Sequence, residues 1–254
     1  MTRIVPHEIN YKTIKKVGGF ASFLLYASAL ISVIVLVIDK TDLVKSKELF
    51  NKNLNSILAI LAILYFLLDL VQNYLFQQAE LNRKNDFVDN SFQTKLADEN
   101  SQGYFSNDSF PAGIYKLGVN GFENSFFTKA VSCKMIIPSI IKSVIIFILF
   151  LLVVFFTDQT ILVAVVQIAL PFTIIQQTTR LIFFHHQVKN IVDNYKHIFH
   201  NVNETNKSAL IINNVINYEK TLSWGSVQLD SKLFNKHNPQ LTLDWEALKI
   251  KYNI

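Results

Sequence analysis

Four long runs along the chain hold apolar residues almost without interruption. Residues 17–38 (VGGFASFLLYASALISVIVLVI) carry no charge, and residues 54–76 carry only Asp69. Residues 135–156 read MIIPSIIKSVIIFILFLLVVFF and residues 160–184 read TILVAVVQIALPFTIIQQTTRLIFF. Each is long enough, at about 20 residues, to cross a hydrocarbon core roughly 30 Å thick. The link Thr157-Asp158-Gln159 can only reverse the chain, so the last two runs predict a transmembrane helical hairpin. The first two predict another, closed by a short charged loop at 39–53. The first run is not read as a signal peptide, because DKTDLVK follows it where a small-residue cleavage site would stand.

Between the hairpins lies a polar insert, 77–134. Its first part, QQAELNRKNDFVDNSFQTKL, predicts that the second span continues as a helical stalk. DENSQGYFSNDSFPAG is turn-rich and reads as a loop. IYKLGVNGFENSFFTKAVSCK predicts a helix bearing Phe122, Phe126 and Phe127 toward the third span. After residue 184 the chain keeps a 3/4 spacing at Val188, Ile191, Tyr195, Ile198 and Val202, which predicts further helix. Phe172 to Trp224 contains neither Gly nor Pro, consistent with one continuous or gently bent helix. A bend is expected at Trp224-Gly225, a stop near Asn238-Pro239, and a last helix capped by Thr242. The expected fold is therefore all-α: a polytopic membrane protein with four transmembrane helices in two hairpins and a helical cytosolic insert and tail. Its parts are 1–76, the N-terminal arm and first hairpin; 77–134, the insert; 135–184, the second hairpin; and 185–254, the C-terminal region.

Half of the 254 residues are hydrophobic, which agrees with that class. The net charge of +5 would suggest nucleic acid in a soluble protein; here topology accounts for most of it. Lys and Arg number 4, 6 and 8 in residues 1–17, 77–134 and 185–254, against 4 in 39–53 and none in 157–159. The excess places both termini and the insert in the cytoplasm. One cysteine, Cys133, excludes an internal disulfide and a multi-cysteine zinc site.

Candidate chemistry follows from polar groups inside apolar runs, which are costly and face protein or water. On the fourth run Gln167, Pro171, Thr173, Gln176, Gln177 and Arg180 are pore or gate candidates. Proline frees a carbonyl and permits a kink, and the stripe is also compatible with packing between helices. Asp69, Lys142 and Arg180 are candidates for an intramembrane charge pair. The six histidines, among them His185-His186 and His197-x-x-His200, are too few for a membrane di-iron centre, so no metal, cofactor or enzymatic activity is expected. Trp224, Phe234 and Trp245 form a candidate assembly or partner surface, with Lys232 and Lys236 interleaved.

DFVDNSF (86–92), SQGYF (101–105), ENSFF (123–127) and WGSVQLDSKLFNKHNPQLTLDWEALK (224–249), with the two-hairpin layout, resemble bacterial four-transmembrane effectors of SMODS-associated anti-phage systems. The resemblance implies a pore-forming effector switched by an infection signal such as a cyclic nucleotide, with a cytosolic defence protein as a possible partner. The expected function is an oligomeric channel or pore in the lipid bilayer, gated by its cytosolic helices. Four helices are too few to enclose a water path, so a homo-oligomer is required. The alternative is a non-conducting anchor or receptor for a soluble protein. Direct nucleic-acid binding is not expected.

Overall fold

A computed structural model describes the backbone of residues 5–40, 47–104, 107–156 and 161–254, with side chains except at 36, 37, 39, 40, 47, 48, 150, 153, 154, 156 and 161–171. Every regular element among these residues is an α-helix: α1 Glu8–Lys40, α2 Lys47–Phe92, α3 Ile114–Phe156, α4 Ile161–Asn201, α5 Glu204–Gly225 and α6 Ser231–Tyr252. Three described segments are long and apolar enough to cross a membrane: Glu8–Val35, Leu49–Phe92 and Ile114–Leu149. The fourth expected span falls in α4, where the side chains of 161–171 are outside the described residues. The reversal at Thr157-Asp158-Gln159 is likewise outside them.

The helices outrun their apolar stretches. At 1.5 Å per residue the 46 residues of α2 extend about 69 Å, more than twice a hydrocarbon core. This accounts for the predicted stalk: α2 carries the second apolar run on to Phe92 as one helix. α1 begins earlier than its apolar run, at Glu8, whose carboxylate pairs with Lys12 at 3.0 Å one turn on. α2 likewise absorbs part of the expected charged loop, starting at Lys47. In α3 the expected insert helix and third span are one element running through Pro138.

Two compact units result. One comprises Thr13–Tyr74 and Ile137–Thr179, the other Met1–Lys12, Leu75–Ile136 and Arg180–Ile254. In the first, termed the membrane unit for its long apolar helices, α1 to α4 all supply the core: Ala21 and Leu25 of α1, Tyr65 of α2, Ile146 of α3 and Ile174 of α4. The second, the helical head, is built around Phe122. Tyr195 and Phe199 stack on its ring at 5.5 and 5.9 Å, and Trp245 meets it edge-on at 5.2 Å. Phe184, Val188, Tyr218 and Leu222 complete this core.

Three expectations about the tail are corrected. The helix expected to run to Trp224 does not; α4 stops at Asn201, and α5 starts after Asn203. Both halves carry an apolar stripe, and only a break lets the stripes bury against each other. Asn214 of α5 then donates to the Ile191 carbonyl of α4 at 3.0 Å. Pro239 does not end a segment, and Thr242 does not cap a helix. Asp230 caps α6, accepting from the Lys232 and Leu233 amides at 2.7 and 3.3 Å, and Thr242 donates back to the Asn238 carbonyl. The helix tolerates Pro239 because Leu241 and Trp245 beyond it are buried in register with the turns before it. Burying such side chains outweighs the loss of one backbone hydrogen bond. The bend at Gly225 is found, with Ser226 left-handed at φ 44°. There the Phe184 ring lies where a Cβ on residue 225 would stand, 2.5 Å from its nearest atom.

Candidate functional site

The polar stretch of α4 has two faces. Ile174, Thr178 and Leu181, spaced three and four apart, are buried. Thr178 Oγ1 meets Ser143 Oγ of α3 at 2.6 Å and donates to the Ser139 carbonyl at 3.4 Å. Thr178 shares its helical register with Gln167 and Pro171, whose side chains lie outside the described residues. This face therefore turns into the protein at Thr178. The neighbouring face differs: Gln176 and Gln177 are exposed, and Thr173 and Arg180 are half-buried. Gln177 Nε2 donates to the Tyr65 hydroxyl of α2 at 2.9 Å, which fixes one of the two amides and leaves Gln176 outward.

Sequence reasoning did not single out Tyr65, Ser139 or Ser143. The two serines, four residues apart on a membrane helix, are a small-residue spacing that admits a close neighbour and a hydrogen bond. That signal was present. Tyr65 had none, because a lone tyrosine in an apolar run reads as bulk. Asp69 accepts from Asn73 one turn on, at 3.0 Å. Lys142 is exposed, and among the described residues no ion pair joins it to Asp69.

In the helical head, three of the strings singled out above meet in one hydrogen-bonded lattice. Asp89, in the last turn of α2, accepts from the amides of Leu96 and Ala97 at 2.8 Å and from the Thr94 hydroxyl. Asp86 accepts from the Ser101 amide at 2.8 Å and from its hydroxyl. Asn120 of α3 donates to Asn90 at 2.8 Å, and Asn107 donates to both Asn120 and Glu123. DFVDNSF thus closes α2 and holds the loop that carries SQGYF, whose last residue, Phe105, lies outside the described residues. His7 adds an edge-on contact to Tyr104 and lies 3.7 Å from Asp86. A carboxylate with two or three donors aimed at it is committed to structure, so this lattice is a fastening of the insert.

One turn earlier on α2, Arg83 is held between two carboxylates, Glu80 at 2.8 Å and Glu219 of α5 at 2.6 Å. The Tyr11 hydroxyl donates to the other oxygen of Glu80. All three charged side chains are largely buried. The cluster links α1, α2 and α5.

The aromatic candidates part company. Trp245 is fully buried against Phe122 and belongs to the core. Phe234 lies half-buried 6.1 Å from the Phe127 ring. Trp224 alone of the three is exposed. Cys133 is exposed. Among the described residues no group of three or more His, Cys, Asp or Glu side chains is placed to hold a metal ion.

His185 meets Ser132 at 2.9 Å, a contact that in another setting would suggest a nucleophile and its base. The Ser132 hydroxyl also donates to the Lys129 carbonyl at 3.1 Å, so its hydrogen is engaged and its oxygen accepts from Nδ1–H. Burial first, then Lys129 and Lys189, pushes the imidazole below its ordinary value, which weakens it as a base. The pair is an interhelical clasp. Comparison with protein-family models, with curated proteins and with solved structures finds no match for this chain.

Proposed function

We propose that this protein is an oligomeric channel or pore of a bacterial inner membrane, with four spans and both termini cytoplasmic. The observation that carries the reading is the exposed polar edge of α4. Gln176 stands outward one turn from the exposed Phe172, and Gln177 beside it is braced by Tyr65. A side-chain amide exposed among apolar helices is costly against lipid and is relieved by water or by a neighbouring protomer. Several protomers sharing a path give it both. The helical head gates and assembles that path, since α2, α3 and α4 each supply residues to both units. A role in anti-phage defence, with a nucleotide or protein trigger, rests on the family resemblance of the four strings.

A second reading, a non-conducting anchor or receptor, is favoured by apolar side chains exposed on the head: Ile212, Ile216, Trp224, Leu243 and Ile250. Exposed apolar groups on a water-facing domain mark interaction surfaces.

The full-length protein in liposomes separates the two. Ion efflux is expected from the wild type, and Gln176→Leu is expected to reduce it several-fold without altering particle size in mild detergent. A monomer in detergent that passes no ions would remove the pore and leave the anchor.

A further inference from the structure

The Ser132–His185 clasp sets the antiparallel register of α3 and α4 in the head, with Val131 and Val188 buried beside it. From that contact Lys129 stands about one turn back along α3, and Lys189 one turn on along α4. Because the helices run in opposite directions, these steps lead the same way. The two ammonium groups and the imidazole lie within electrostatic reach of one another, and Lys196 bears on Lys129 more strongly still. One carboxylate faces this group, that of Asp193, and Lys196 takes it at 2.7 Å. Lys129 and Lys189 have no carboxylate at ion-pair distance among the described residues. Lys129 is half-buried as well, so water screens it less than it would a free surface lysine. Three ammonium groups around the single carboxylate of Asp193 leave an excess of positive charge, and the excess makes a place for an anion.

Position in the chain identifies the anion. Lys129 stands six residues before the apolar run 135–156, and His185 directly follows the run 160–184. With those runs as membrane spans, the cluster lies at headgroup level, where anionic lipids attract basic side chains. We propose that Lys129 and Lys189, held in register by the Ser132–His185 clasp, bind the phosphate of an anionic phospholipid headgroup. The inference rests on the membrane reading of the two runs and is independent of whether the protein conducts.

Thermal unfolding of the full-length protein in an uncharged detergent tests it, with phosphatidylglycerol, phosphatidylcholine or inorganic phosphate added. Phosphatidylglycerol is expected to raise the wild-type midpoint by on the order of 3 °C, and phosphatidylcholine to leave it in place. Lys129→Gln/Lys189→Gln should lose the gain yet unfold no lower than wild type in detergent alone, because it relieves repulsion. A merely structural role would lower the midpoint in every condition, and that result overturns the site. Lys189→Gln alone changes an exposed residue and should lose part of the gain; its keeping all of it also overturns the site. A rise as large with inorganic phosphate would make this a free-anion site and overturn the lipid assignment. Binding without ion flux would sink the pore and leave this site standing.

Discussion

The two units of this chain are stabilised by different means. In the head, buried polar groups are tied to one another: Arg83 to two glutamates, Asp89 to a row of loop amides, Asn120 to Asn90. Aromatic rings close around Phe122. Among the described residues the membrane unit shows fewer such ties. One cluster of its core joins Ala21, Leu25, Tyr65, Ile146 and Ile174, and most of the apolar run of α2 is not buried. Ile60, Ile63, Phe66 and Leu67 stand exposed there. In water such a surface would aggregate; in lipid it is at home, because hydrocarbon solvates leucine as well as another leucine does. The head must exclude water to be stable, whereas the membrane unit needs only a few polar contacts to choose its neighbours. Errors of packing or charge should therefore cost far more in the head.

The sharpest break in that contrast comes from Arg83. Arg83→Met leaves Glu80 and Glu219 facing each other without their shared cation. It should lower stability by about 3–5 kcal/mol, read by denaturant or thermal unfolding of the full-length protein. A loss under 1 kcal/mol would mean the cluster is solvated and the head less dry than its geometry implies.

Gly121→Ala probes packing in the same unit. A Cβ there would stand 2.3 Å from the Tyr195 hydroxyl, which is buried and has no hydrogen-bond partner among the described residues. Destabilisation of about 1–3 kcal/mol is expected. Tyr195→Phe removes the clashing oxygen and should restore part of the loss in the double variant, whereas strict additivity would exclude contact between the two.

The smallest effect belongs to the membrane unit. Thr178→Val deletes the hydroxyl that meets Ser143 and should cost on the order of 0.6 kcal/mol, as single interhelical hydrogen bonds in membranes do. Unfolding in detergent measures it. A loss as large as that of Arg83→Met would erase the distinction between the units.

The all-helical class, the apolar runs and the bend at Gly225 were legible in the residues. Runs of about 20 apolar residues and a helical period are local facts, and backbone hydrogen bonding in an apolar medium leaves a helix as their natural outcome. The ends of the helices were less legible. Asn201-Val202-Asn203 looks no weaker as helix than the residues beside it, and Pro239 looks more like a stop than it is. Those outcomes turn on distant partners: Ile191 for Asn214, and the Phe122 ring for Trp245.

The same reason governs the candidate side chains. The chain alone determined which polar residues stand in apolar surroundings, since composition and spacing reveal them. Which of them meet was decided only in three dimensions. Thr178 faces inward to Ser143, Gln177 reaches Tyr65 across 112 residues, and Asp69 turns to its own helix. Arg83, plain in a charged stretch of the sequence, became the centre of a buried cluster through Glu219, 136 residues away. A periodicity names a face of a helix; what that face meets depends on the rotation of every helix packed around it, and that is set by the whole core at once.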